Sequence, residues 1–196
     1  MRRSPEQERS RKSLKEIRDA ARKLIGLHGT DGFSMTLLAK QAKLSKPALY
    51  RYFPNKKAIL VELAREIFEE NRQLIVEQLG LTLPGNEKAA LIATFTAYCE
   101  VHVGQPYRRH LRAAMAADPE LVSLDLADSE RNAQIAVGVF ERLFPQAPAS
   151  KLHHRLLILM NQMEPFAKLV ASRPRTEWNE LIETYVEMCL ASLQSP

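Results

Sequence analysis

The chain has 196 residues, 45% of them hydrophobic and 26% charged, so it can bury a substantial core. These values do not fit an intrinsically disordered chain, and no apolar run approaches the ~20 residues of a membrane span. The net charge of +5 is uneven: residues 1–60 hold 15 Lys and Arg against 5 Asp and Glu, and the remainder is net acidic. This asymmetry indicates that only the first part meets a polyanion.

The N-terminal elements can be predicted from spacing and capping residues. Residues 1–13 are polar and basic and are expected to form a disordered arm, either a solubilising tail or a contact to DNA. Apolar residues then recur at helical spacing from Leu14 until Gly29 stops the first helix. Ser34 is a suitable N-cap for a short second helix, and Ser45 for a third. Asn55 can cap a long fourth helix that ends near Gln78.

The remaining sequence also predicts helices only. Residues 88–103 are apolar on nearly every face, which is typical of a helix surrounded by other helices. Further helices are expected from Asp118, through residues 135–144, at about 150–171 and at about 176–193. With only seven glycines and no strand-like alternation, the sequence predicts an all-α fold of about nine helices. A basic cluster at 106–112 is expected to be a solvated face or to hold an anionic ligand.

A short helix, a tight turn and a second short helix over residues 35–53 form the general DNA-reading unit. The stretch IRDAARKLIGLHGTDGFSMTLLAKQAKLSKPALYRYFPNKKAIL resembles the DNA-binding domain of TetR-family transcriptional regulators. This resemblance implies a helix-turn-helix domain at 14–60 and a ligand-binding and dimerisation domain at 61–196. Lys43 stands where a turn glycine is usual, which predicts a strained turn.

DNA contacts are expected from the third helix and its neighbours. Tyr50, Tyr52 and Lys56, with the hydroxyls of Ser34 and Ser45, suit phosphate oxygens, and such contacts set register only. Lys46, Pro47, Ala48 and Arg51 suit base edges, although Arg51 could equally contact a phosphate. For the tyrosines, the alternative is core packing, but Leu49 and Phe53 already occupy the inward spacing.

The resemblance further implies a homodimer and a small-molecule effector. Two apolar stripes near the C-terminus are candidate dimer contacts, unless both face the core of their own chain: Leu156, Met160, Met163, Trp178, Leu181, Ile182, Tyr185 and Met188. Polar residues on apolar helices are candidate effector ligands, unless they are satisfied core residues: Thr94, Tyr98, His102, Asn161 and Glu164.

Other classes of function are less well supported. The five histidines lack metal-binding spacing, and there is no nucleophile elbow, phosphate loop or CxxC motif, so neither an enzyme nor a metal or cofactor site is predicted. Cys99 and Cys189 are expected to be buried free thiols of a cytoplasmic protein. The predicted function is a sequence-specific regulator, expected to be a repressor released from a palindromic operator by its effector. An activator and a nonspecific architectural DNA-binding protein stay open as alternatives.

Overall fold

The computed structural model describes residues 5–79 and 84–194, and nine α-helices form the framework of this part of the chain. A 3₁₀ turn at Arg175–Glu177 precedes the last helix. In chain order the helices are α1 Pro5–His28, α2 Met35–Gln41, α3 Lys46–Tyr52, α4 Lys56–Leu79, α5 Glu87–Gly104, α6 Pro106–Ala116, α7 Pro119–Leu143, α8 Ala149–Ala171 and α9 Trp178–Gln194. The predicted all-α class is confirmed, and none of the described helices is apolar over a length that would cross a membrane.

The N-terminal arm differs from its prediction. Helix α1 begins at Pro5, so residues 5–13 are helical and not disordered, while residues 1–4 lie outside the described part of the chain. Pro5 is at the first helical position, where its missing N–H costs nothing, and Glu8 in the first turn complements the helix dipole. The apolar pattern predicted a helix beginning at Leu14, and these two residues explain why it begins nine residues earlier.

Helices α6 and α7 also differ from their predictions. The predicted start at Asp118–Pro119 is confirmed, but α7 then runs unbroken to Leu143 and merges two predicted helices. The basic cluster at 106–112 is part of helix α6, and Arg108 is 4% exposed with its Nε donating to Gln105 Oε1 at 2.8 Å. Tyr107, Leu111 and Met115 recur every four residues and give α6 a buried face.

The chain divides into two compact units, and the division differs from the predicted boundary after residue 60. The first unit comprises the chain up to Ile67 and Gln105–Asp118, and the second comprises Phe68–Gly104 and the chain from Pro119 onward. Helix α6 belongs to the first unit because it packs against α1. Gly26 of α1 lies at this contact, where a Cβ would be in ordinary van der Waals contact with Tyr107, 3.6 Å from its backbone nitrogen.

Buried apolar residues and an ionic network hold the first unit together. Ile17, Leu38, Leu49, Ile59 and Leu63 are each fully buried in its core. At the edge of this core, arginines of α1 face glutamates of α4: Arg18 lies 3.2 Å from Glu62 and 2.9 Å from Glu66, and Arg22 lies 2.8 Å from Glu66. This arrangement fixes α4 along α1 and so supports the two short helices between them.

The turn between α2 and α3 has the geometry of a Schellman motif with a lysine at its left-handed position. Leu44 N–H donates to Ala39 O at 2.9 Å and Lys43 N–H donates to Lys40 O at 3.2 Å. Lys43 has φ 55°, a conformation that favours glycine. The backbone strain predicted for this turn is therefore found at Lys43.

Replacing Lys43 with glycine should therefore stabilise the protein. We expect the free energy of unfolding to rise by about 0.5–1 kcal/mol, because the left-handed strain exceeds the extra backbone entropy of glycine. The corresponding shift in melting temperature is about 1–4 °C, measurable by calorimetry. Lys43→Ala retains the strain and is the matched control; equal stability of the two variants would contradict this account.

The core of the second unit contains an aromatic cluster and both cysteines. The Phe166 and Tyr185 rings stack with centroids 4.0 Å apart, and Phe95 meets both edge-on. Cys99 and Cys189 are buried free thiols, which confirms that prediction. Burial raises the pKa of Cys99 to about 12, with a smaller contribution from Glu100, and burial raises the pKa of Cys189 to about 11.

Both thiols should resist alkylation in the native protein, because the thiolate is the reactive species and burial blocks access. We expect a maleimide reagent to label the native chain at pH 7 at least about 100-fold more slowly than the denatured chain, which should take up two equivalents. Mass spectrometry gives the number of adducts over time. Rapid labelling of either cysteine without unfolding would show that the second unit opens more readily than its packing implies.

Candidate functional site

Helix α3 has an inward apolar side and an outward polar side. Leu49 and Phe53 are buried and separated by one turn, which anchors the helix in the first unit. Two further pairs with the same spacing, Lys46 with Tyr50 and Pro47 with Arg51, are exposed. Tyr50 is 48% exposed, which agrees with the predicted outward orientation.

The remaining predicted DNA contacts surround this outward side. Ser34 Oγ accepts the Leu37 N–H at 3.2 Å and Ser45 Oγ accepts the Ala48 N–H at 3.3 Å, so both predicted caps are confirmed. Because each hydroxyl oxygen acts as acceptor within its helix, its own hydrogen is available to donate outward. Both serines are exposed, and Ala48 and Tyr52 are half-buried.

Lys56 begins α4 and is half-buried, with its Nζ 5.9 Å from the centroid of the Phe33 ring. The ammonium group is thus within cation–π range of the ring, and its charge lies at the start of the helix. Asn55 Oδ1 accepts the Ala58 N–H at 2.8 Å, which confirms the predicted cap. Lys57 points elsewhere, since its Nζ lies 3.0 Å from Asp118 Oδ2.

The electrostatics of α2 and α3 suit a polyanion. Neither helix contains an acidic residue, whereas Lys40, Lys46 and Arg51 are exposed on them. Cationic side chains and hydroxyl donors bind phosphate oxygens, and a helix with exposed long polar side chains fits a major groove. The arrangement defines a helix-turn-helix DNA-binding protein.

In the second unit, four of the five predicted effector ligands form two groups. Thr94 lies on a cavity of about 30 Å³, whereas Tyr98 and His102 both contact Glu164. Asn161 joins neither group in the described contacts and donates from Nδ2 to Leu157 O at 2.8 Å. The cavity is lined almost wholly by apolar side chains: Ile75, Leu91, Thr94, Phe95, Phe140, Leu156, Leu159, Met160 and Met163.

The predicted dimer residues divide between core and surface. Leu156, Met163, Trp178 and Ile182 are buried in the core of their own chain, which agrees with the alternative that these residues face inward. Met160, Leu181 and Tyr185 pack partly against that core, and Met188 is 65% exposed. The helical period alone could not distinguish the core residues from the surface residues, because α8 and α9 have apolar residues on two sides.

Spacing and exposure together identify one outward, uncharged stripe on each of these helices, of which the sequence prediction named only Leu181 and Met188. On α8, Ile158, Gln162, Pro165 and Leu169 are exposed and recur every three or four residues. On α9, Leu181, Thr184, Met188 and Ala191 have the same spacing, and the last three are exposed. No residue of either stripe is charged.

Comparison with known families agrees with this geometry. Residues 17–63 match the family described as bacterial regulatory proteins, tetR family, and residues 86–196 match the tetracyclin repressor-like C-terminal domain. The chain therefore belongs to the TetR family of transcriptional regulators, which are DNA-binding proteins and not enzymes. No curated protein matches the sequence.

Solved structures share the fold at low sequence identity. GusR of Salmonella enterica has a TM-score of 0.72 and 17% identity, with 93% of this chain and 96% of that chain covered. A TetR-family transcriptional regulator from Streptomyces coelicolor has a TM-score of 0.67 and 20% identity, with coverage of 94% and 97%. The TetR family repressor AlkX from Dietzia sp., implicated in biodegradation of n-alkanes, has a TM-score of 0.62 and 20% identity, with coverage of 91% and 94%.

Proposed function

We propose that the protein is a cytoplasmic repressor that binds a palindromic operator as a homodimer and is released by a small-molecule effector. The side chains exposed on α3 are the main support for sequence-specific binding. Lys46 and Arg51 can donate to guanine acceptors there, and Pro47 and Ala48 can contact a thymine methyl group. Ser34, Ser45, Tyr50, Tyr52 and Lys56 supply the phosphate contacts that set register.

A twofold dimer is proposed because one seven-residue recognition helix contacts few base pairs. The uncharged stripes of α8 and α9 offer a surface for a partner copy, with Ile158 and Met188 as its most exposed apolar side chains. In an interface with twofold symmetry, the same stripes of both chains would pack together as four helices. Such a dimer presents two α3 helices in opposite orientations, which requires a palindromic site.

Release by an effector would use the segments that connect the two units, and α4 and α6 are the helices involved. Helix α4 crosses the boundary at Ile67 without a break, and α6 belongs to the first unit although its neighbours along the chain, α5 and α7, lie in the second. The ion pair between Lys57 and Asp118 joins the start of α4 to the segment that leaves α6. A shift of α5 or α7 would thus be transmitted to the DNA-binding unit through α6.

Selection of bound sites from random double-stranded DNA at near-physiological salt tests the proposal. We expect a palindromic consensus whose half-sites are related by a twofold axis. A consensus on a single half-site would contradict the dimer, and binding without any consensus would favour the architectural alternative. A reporter gene placed behind the selected operator then gives the direction of regulation.

A further inference from the structure

Three polar side chains of the second unit form a cluster beside the apolar cavity, and we name them the His102 cluster: Tyr98, His102 and Glu164. Tyr98 Oη donates to Glu164 Oε2 at 3.2 Å, and His102 Nδ1 lies 3.5 Å from Glu164 Oε1. Tyr98 comes one helical turn after Thr94 on α5, and Glu164 directly follows Met163 on α8. None of the three lines the cavity itself, but Thr94, Tyr98 and His102 share one face of α5 at steps of four residues, so that face leads from the cavity to the cluster.

His102 is the unusual member of this cluster. Its side chain is 4% exposed, and its Nε2 has no hydrogen-bond partner among the described residues. A carboxylate beside Nδ1 favours the imidazole tautomer that carries its proton on Nδ1, which leaves Nε2 as an acceptor. A buried acceptor without a donor is costly, and a ligand that brings a donor removes that cost.

The adjacent cavity restricts the rest of such a ligand. Among its lining residues only Thr94 is polar, and Thr94 Oγ1 already donates to Ala90 O at 2.8 Å. An apolar body is therefore expected. A volume of about 30 Å³ holds only a few atoms, so Met160 and Met163 must move to admit more, which their unbranched side chains allow.

We propose that the effector is a small, mainly apolar molecule with one hydrogen-bond-donor head group, either a hydroxyl or an amine, which His102 Nε2 accepts. The carboxylate of Glu164 orients the imidazole and disfavours an anionic head group. This inference rests on the ligand response proposed above and specifies its chemistry.

A series with one hydrocarbon body and different head groups tests the proposal on the full-length protein. The probes are 1-hexanol, hexylamine, hexanoate and 1-chlorohexane, and the readouts are the rise in melting temperature and the release of the selected operator. We expect hexanol or hexylamine to bind at least about tenfold more tightly than 1-chlorohexane, because each satisfies a buried acceptor. Hexanoate should bind most weakly. Glu164→Gln should weaken hexylamine more than hexanol, because only the ammonium group is attracted by the carboxylate charge; equal effects on both probes would contradict the role given to Glu164.

Substitution of the acceptor gives the second arm. His102→Phe keeps an aromatic ring and removes Nε2, so the preference for hexanol over 1-chlorohexane should disappear while apolar binding persists. His102→Gln restores an acceptor and should recover part of the preference, and the exposed His154→Phe is the matched control. An unchanged preference in a folded His102→Phe protein would overturn the role of His102.

The outcomes separate this inference from the proposed function. If no probe binds, or if hexanoate binds best, the proposed head group class is wrong. Operator selection then still tests the proposed DNA-binding function independently. If the probes bind as expected but never release DNA, the chemistry of the site stands and its role as effector site fails. If the protein selects no operator at all, the proposed function fails irrespective of probe binding.

Discussion

Replacing Arg51 with alanine should relax the preference for one base pair in each operator half-site. Arg51 is exposed on the outward side of α3, one turn after Pro47, and a bidentate arginine contact to guanine contributes about 1–3 kcal/mol of discrimination. We therefore expect the consensus to lose information at one position per half-site, while affinity for nonspecific DNA changes little. Repeating site selection with the variant measures this loss.

The phosphate contacts provide the contrast that makes this prediction specific. Lys56→Ala should weaken binding to all sequences to a similar degree and lower the salt slope by about one per subunit, and Tyr50→Phe should also act uniformly. Arg173→Ala removes an exposed arginine of the second unit and should leave both affinity and preference unchanged. If Arg51→Ala behaves like Lys56→Ala, Arg51 contacts a phosphate and the base-reading role passes to Lys46.

The helix-turn-helix could be predicted closely because its signals are local. Ser34, Ser45 and Asn55 each cap the helix that follows them, and Leu49 and Phe53 are buried as their spacing indicated. The strained turn was expected from the family resemblance, which places Lys43 where a turn glycine is usual, and its φ of 55° confirms that expectation. Short elements with a cap at one end and a stop at the other leave few alternatives.

The second unit was less predictable because its signals are not local. Leu156 and Met188 are both apolar residues at helical spacing, yet the first is fully buried and the second is 65% exposed. Which side of α8 or α9 faces inward depends on the helices packed against it, which the period cannot identify. The same reason explains why α6, with a clear apolar face at Tyr107, Leu111 and Met115, could not be assigned to the first unit.

Placing a glutamate at both Ile158 and Met188 should convert the proposed dimer to monomers. Each side chain is more than 60% exposed, so a polar replacement leaves the core of its own chain intact. At a packed interface, however, an unpaired buried charge costs several kcal/mol, and twofold symmetry repeats each change. We expect the dissociation constant to rise at least about 1,000-fold, equivalent to about 4 kcal/mol, as measured by analytical ultracentrifugation. Operator affinity should fall with it, because only one half-site is then bound by each molecule.

A matched control separates the interface from general surface effects. Leu126 of α7 is 53% exposed, so Leu126→Glu makes the same chemical change away from the stripes of α8 and α9 and should retain the dimer. Helical content and melting temperature should stay close to those of the original protein in all variants. A double variant that still dimerises would show that the α8 and α9 stripes are not the contact surface. A monomeric Leu126→Glu protein would place that surface on α7 instead, and the spacing between the two α3 helices would then follow from a different symmetry axis.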